Sequence, residues 1–270
     1  MKNIEIWQTK DSMENPKPDG KGPNARQVPS ITYYPAAKQL TDGAVLIFPG
    51  GGYAMRAEHE GRGYAEFLNA HGITAFVVNY RVMPDKFPLP LCDAVRSIRF
   101  IRHYAARFHV APDKLAVMGS SAGGHLAALL ASWQNDGIYE KTDDIDLEDY
   151  HPNLQILAYP VISFTDLTIA DMESVLNFIR PEDLYHAASF DPVCLAGPQT
   201  PPAFIWHTAD DDNVNARNSL SYASRLVELK IPVELHIFPE GNHGLGLAQD
   251  NPSVHQWCGL LINWLQNYIK

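Results

Sequence analysis

A chain of 270 residues with 46% hydrophobic side chains is long enough to bury a full core without disulfides or metal sites. Its 21 Lys and Arg against 31 Asp and Glu leave a net charge of −10, which argues against nucleic acid or an anionic membrane as a partner. No apolar run approaches the roughly 20 residues of a membrane span, and the N-terminus shows neither the apolar stretch nor the cleavage site of a signal peptide. Cys92, Cys194 and Cys258 are odd in number and far apart. They fit free thiols in a reducing, cytoplasmic compartment better than a disulfide framework. No Cys/His grouping has zinc spacing, so neither a metal nor a cofactor is expected.

In chain order, Met1–Trp7 alternates like an edge strand, residues 10–29 are a Pro/Gly/Lys/Asp-rich loop, and Ile31–Pro35 is a second short strand. Ala44-Val45-Leu46-Ile47-Phe48 is unbroken apolar sequence, as expected of a strand covered on both faces. It runs into Pro49-Gly50-Gly51-Gly52-Tyr53. Three glycines after a buried strand either form a flexible loop or bring bare backbone N–H groups close to an anion that side chains would keep away. Gly61–His71 reads as a helix and Ile73–Tyr80 as another buried strand. Leu91–His109 reads as one long helix, with Val95, Ile98, Ile101, Tyr104, Ala105 and Phe108 on one face. Arg96, Arg99 and Arg102 fall on another face, which the spacing assigns to solvent.

Lys114–Met118 is a further short apolar strand, and from Ser121 onward Leu126, Leu129, Leu130 and Trp133 recur at helical spacing. Between strand and helix lies Gly119-Ser120-Ser121-Ala122-Gly123, the G-x-S-x-G nucleophile-elbow pattern. A serine at the tip of so sharp a turn takes a strained backbone, and residues two positions either side crowd each other unless they lack Cβ. Its hydroxyl then stands above the sheet, with the N–H of Ala122 at the positive end of the helix dipole facing the same space.

Residues 136–152 are acidic but lack the residue order of a calcium loop, and read as a solvated loop over the sheet edge. Leu154–Val161 is a strand. Residues 163–192 are an insertion the sheet does not need, placed beyond a strand end where it can cover a site. Phe164, Met172, Phe178 and Tyr185 either line a pocket there or form the insertion's own small core. Ala203–Thr208 is a strand followed by Asp210, Asp211 and Asp212. One of these carboxylates is suited to orient a histidine and others to cap the helix near Ala216. Val233–Phe238 is the last strand. His243 follows it between glycines and is the histidine best placed to reach a serine, whereas His125, His207 and His236 read as structural, with His125 near enough the elbow to meet a substrate. Residues 252–268 close the chain as an amphipathic helix. Alternating strands and helices over one stretch predict a mostly parallel sheet covered on both faces.

The motifs Pro49–Tyr53, Asn79-Tyr80-Arg81, Gly119–Leu126, His207–Asp211 and Glu240–Gly246 together resemble the α/β-hydrolase esterases. The resemblance is strongest to the bacterial feruloyl/acetyl xylan esterases and sugar-ester hydrolases, kin of the hormone-sensitive-lipase-like enzymes. It implies an α/β-hydrolase fold: one domain over 1–270, an eight-stranded mostly parallel sheet with helices on both faces, and a small cap at 163–192. It also implies Ser121 as nucleophile, His243 as general base and acid, and Asp211 as orienter, the last because Val214 follows it by three. Gly51, Gly52 and Ala122 become the oxyanion donors. The implied activity is a serine carboxylesterase acting on small acyl esters such as acetylated sugars or xylo-oligosaccharides. A peptidase of the prolyl-oligopeptidase type and a non-catalytic hydrolase-fold binding module are the alternatives, and self-association into a homo-oligomer stays open.

Overall fold

The computed structural model describes residues 2–7 and 27–269, so most of the loop expected over 10–29 lies outside the described residues. The strands are β1 Lys2–Glu5, β2 Ser30–Tyr34, β3 Ala44–Phe48, β4 Thr74–Asn79, β5 Leu115–Ser120, β6 Leu154–Ala158, β7 Ala203–Thr208 and β8 Val233–Phe238. They form one eight-stranded sheet in the order β1-β2-β4-β3-β5-β6-β7-β8. Pairing is antiparallel only for β1–β2 and β2–β4 and parallel from β4 to β8.

The pleat explains how unbroken apolar runs serve two cores. Ala44, Leu46 and Phe48 of β3 enter one cluster, while Val45 and Ile47 enter the other on the opposite face. Helices α1 Glu58–Ala70 and α8 Pro252–Leu265 cover the second face, through Tyr64, Leu68, Trp257 and Leu261. Helices α2 Leu89–His103, α4 Ser121–Ser132 and α7 Arg217–Glu228 cover the first. All residues of α4 are buried, so it carries no single apolar stripe but is sequestered on every side, as its Ala/Gly/Leu composition permits.

The helix expected over Leu91–His109 is two. Helix α2 stops at Tyr104 (φ −102°, ψ 20°), and a short turn of helix, α3 Ala105–Phe108, is closed by His109 in the left-handed region (φ 56°). The arginine face expected to meet solvent is instead buried. Arg96 is fully enclosed and reaches Asp143 Oδ1 at 2.7 Å and Asp146 Oδ1 at 2.6 Å. Arg99 bonds Asp136, the Tyr139 hydroxyl at 2.9 Å and the Glu148 carbonyl at 2.9 Å. Arg102 donates to the carbonyls of Pro112 and His151. The acidic segment is solvated only in part: Glu140 and Asp144 stay exposed, but Asp146 is fully buried, and the segment folds onto α2 because each charge removed from water meets an opposite one. Sequence periodicity assigned both stretches outward because charge marks solvent only when no countercharge returns from elsewhere.

In the insertion, α5 Met172–Phe178 and a 3-10 segment Pro181–Phe190 lead into α6 Pro192–Leu195. Phe164 and Phe178 are buried in the main core, whereas Met172 is 38% and Tyr185 94% exposed, so those four aromatic and apolar residues form neither one pocket nor one private core.

Candidate active site

Ser121 sits where β5 ends and α4 begins, with φ +53°, the left-handed value the elbow demands. A Cβ at Gly119 would lie 2.0 Å from the Gly123 carbonyl, and one at Gly123 would lie 2.0 Å from the carbonyl of Phe48. Both glycines are thus required by backbone meeting backbone, the first across the turn itself and the second against β3. Ser121 is 8% exposed, at the carboxyl end of the parallel strands.

Ser121, His243 and Asp211 come together from three separate segments. The Ser121 hydroxyl lies 2.9 Å from Nε2 of His243, and Nδ1 of the same ring lies 2.6 Å from Oδ2 of Asp211. With Nδ1–H donating to the carboxylate, Nε2 is left as the acceptor for the Ser121 proton. Asp211 also accepts the backbone N–H groups of Asn213 (3.0 Å) and Val214 (2.8 Å). On its far side is His207, whose Nε2 lies 3.2 Å away and also donates to the Val214 carbonyl at 2.8 Å. Burial by itself would raise the Asp211 carboxyl, but the hydrogen bonds from His207, His243 and Val214 outweigh it and hold the group well below the usual carboxylate range. Asp210 accepts from the N–H groups of Gly241 (2.8 Å) and Asn242 (3.1 Å), so it secures the loop carrying His243. No carboxylate caps the helix after it; Ala216 is the N-cap, and the Asn215 side chain accepts from Arg217 N–H.

The glycine loop faces the elbow. Gly51 (φ +125°) and Gly52 (φ +60°) occupy backbone regions that L side chains avoid, and a Cβ on Gly51 would meet the Met55 carbonyl at 2.5 Å. Among the described residues no acceptor takes the N–H of either glycine. Ala122 is in the first turn of α4, where N–H groups have no intrahelical partner. The loop is pinned by Asn177 of the insertion, which donates to the Gly52 carbonyl at 2.8 Å, and by Tyr80, whose hydroxyl donates to the Pro49 carbonyl at 2.6 Å.

His125 is structural. It is fully buried, donates Nε2–H to the Phe190 carbonyl at 2.8 Å, accepts from the Tyr53 hydroxyl at 2.7 Å, and stacks on Phe164 at 4.1 Å. Burial pushes its pKa down to about 4, so it stays neutral. Sequence reasoning passed over Glu60 and Tyr159, both buried beside the site. Glu60 preceded the expected start of its helix at Gly61, and Tyr159 stood inside an apolar run, so neither carried a local signal.

The chain matches the BD-FAE family model over residues 32–226. It belongs to the BD-FAE family. Endo-1,4-beta-xylanase B of Butyrivibrio fibrisolvens is 36% identical over 228 residues, covering 83% of this chain and 35% of that protein. Acetylxylan esterase of Xylanibacter ruminicola is 32% identical over 230 residues, covering 83% of this chain and 45% of that protein. The BD-FAE chain thus spans less than half the length of these curated relatives. The crystal structure of the acetyl ester-xyloside bifunctional hydrolase from Caldicellulosiruptor lactoaceticus superposes with a TM-score of 0.85 at 36% identity, covering 99% of this chain and 97% of that one. The fold of this BD-FAE chain is the α/β-hydrolase fold that its elbow motif implied. Among the described residues no helix is long and apolar enough to cross a membrane.

Proposed function

We propose that this chain is a serine carboxylesterase hydrolysing small acyl esters, with acetyl esters of sugars or xylo-oligosaccharides as its substrates. The observation that carries the reading is the continuous hydrogen-bond line from Ser121 through His243 to Asp211, beside a glycine loop whose Gly51 and Gly52 N–H groups have no acceptor among the described residues and a helix start at Ala122. His243 Nε2 takes the proton of Ser121 as its oxygen attacks the ester carbonyl. The N–H groups of Gly51, Gly52 and Ala122 receive the negative oxygen of the tetrahedral intermediate, each such donor being worth roughly 2.7–4 kcal/mol. As the C–O bond breaks, His243 returns the proton to the departing alcohol and leaves an acyl-Ser121 ester. Water, deprotonated by the same nitrogen, then attacks that ester and releases the acid and free Ser121. Asp211, held as a carboxylate, keeps His243 in the required tautomer and stabilises its cationic form. The scheme needs neither metal nor cofactor.

The acetylxylan esterase among its relatives supports the acetyl-sugar class. Free thiols at Cys92, Cys194 and Cys258 support a reducing, cytoplasmic setting. Ser121→Ala should abolish labelling by a fluorophosphonate probe and lower turnover of p-nitrophenyl acetate and acetylated xylo-oligosaccharides by several orders of magnitude, on the order of 10⁴-fold or more. A variant that keeps near-wild-type turnover would remove Ser121 from the chemistry.

A further inference from the structure

Glu60 is 3% exposed and lies in the first turn of α1, beneath both walls of the site. Its Oε2 accepts the N–H of Gly50 at 2.7 Å, the residue that leads into Gly51 and Gly52. Its Oε1 accepts the hydroxyl of Tyr159 at 2.6 Å. Tyr159 follows β6 in a left-handed conformation (φ +36°), and its ring stands edge-on to His243 with centroids 5.0 Å apart. With its hydroxyl hydrogen directed at Glu60, the Tyr159 oxygen accepts the N–H of Gly246 at 3.0 Å, in the loop that carries His243. It also accepts from Tyr64 at 3.2 Å, which in turn meets Ser120, beside the nucleophile candidate, at 3.0 Å. Every proton in this chain runs toward Glu60, and a carboxylate can end it because both its oxygens only accept.

The packing leaves no slack at the junction. A Cβ on Gly50 would lie 2.5 Å from Glu60 Oε2 and 2.7 Å from the Ser120 carbonyl. The neighbouring His59 adds a second tie, Nε2–H donating to the Gly244 carbonyl at 2.9 Å. Among the described residues, His59 Nε2 is also the one cation-capable group within 4 Å of the carboxylate, 3.8 Å from Glu60 Oε1, and its side chain is 58% exposed. What Glu60 holds are therefore neutral dipoles that belong to two opposite walls of the site.

We propose that Glu60 is a positioning residue, acting through Tyr159 to set the glycine loop and the His243 loop at a fixed separation across Ser121. The proposal rests on the serine-esterase reading above. If the tie is cut, the oxyanion donors and the base shift independently, and a displacement near 1 Å can cost on the order of 100-fold in rate.

The test uses the full chain as wild type, Ser121→Ala, Glu60→Gln, Tyr159→Phe and the Glu60→Gln/Tyr159→Phe pair, assayed on p-nitrophenyl acetate. Turnover is expressed per site titrated with a fluorophosphonate, so that unfolded molecules do not count. The Ser121→Ala control addresses the underlying reading: loss of labelling and turnover keeps it, and persistence of both removes it whatever Glu60 does. Given that control, Glu60→Gln and Tyr159→Phe should each lower kcat per titrated site by about 10- to 100-fold, with KM within about threefold. The double variant should be no slower than the worse single one, because both cut one chain of hydrogen bonds. A carboxylate serving stability alone would lower the titratable fraction and leave kcat per site unchanged, and that result overturns the proposal, as do independent losses that multiply in the double variant. Should Glu60→Gln fail to accumulate as folded protein, Tyr159→Phe carries the test, and a kcat per site within about threefold of wild type refutes the clamp.

Discussion

At the scale of single residues, histidines divide by what surrounds each ring. His243 has one nitrogen committed to Asp211 and the other to Ser121. His207 has Nδ1 at 2.8 Å from the Ser219 hydroxyl and Nε2 on the Val214 carbonyl, so it serves as a brace behind Asp211. His125 is closed off from water between Tyr53 and Phe190, and this has a consequence for stability. Burial holds its folded pKa near 4, below the 6.5 of an imidazole in water, so the unfolded chain binds its proton first. The stabilisation is complete above pH 6.5 and is lost as pH falls toward 4. Between pH 7 and pH 5 that loss amounts to about 2 kcal/mol. Replacing His125 with Gln should flatten the fall of urea-unfolding free energy with pH over this interval. An unchanged slope would mean that the ring is not held neutral.

At the scale of elements, the pairing of α2 with the acidic segment buries opposite charges against each other on that side of the sheet. Arg96 brings one guanidinium to two carboxylates, Asp143 and Asp146, and also donates Nε–H to the Ile6 carbonyl at 2.8 Å, which ties down the end of the first strand. Removing the cation leaves the buried Asp146 with its hydrogen bonds from Tyr139 and Thr142 but without a countercharge, and breaking such a buried pair costs about 3–5 kcal/mol. Arg96→Met, which keeps much of the side-chain volume, should lose that much in urea unfolding, whereas a loss below about 1 kcal/mol would class the pair with exposed ones. The elbow shows the opposite balance. There the element junction is set by absent side chains, since Gly119 and Gly123 leave room for carbonyls 2.0 Å from where their Cβ atoms would stand.

At the scale of the whole molecule, the two ends of the insertion are closed on each other by one buried carboxylate, Asp191. Asp191 Oδ2 accepts from the hydroxyls of Ser163 (2.9 Å) and Thr165 (2.7 Å) and from the N–H of Phe164 (3.0 Å), while Oδ1 accepts from Val193 N–H at 2.9 Å. Asn218 on α7 holds the same stretch, its Oδ1 accepting from Ile162 and Ser163 N–H at 3.0 and 2.8 Å. Asp191→Ala should therefore raise amide exchange across residues 163–192 by about 10- to 100-fold, corresponding to roughly 1–3 kcal/mol of local stability. Exchange in β3, β5 and β6 should stay as in wild type. Equal acceleration in the sheet would show that the insertion and sheet open together.

Local sequence was enough for the strands, the elbow and the order in which Ser121, Asp211 and His243 occur, because each depends on neighbours within a few residues. An apolar run, a missing Cβ and a glycine at positive φ are properties of the chain itself. The approach of β7 and β8 to β5 follows from parallel pairing, so residues more than a hundred positions apart meet at strand ends. Tertiary structure alone decided the fate of charges. Arg96, Arg99, Asp146 and Glu60 have the side chains of surface residues and are buried because partners arrive from distant segments. Desolvation is a cost that periodicity can register, whereas the compensating hydrogen bonds exist only once the chain has closed on itself.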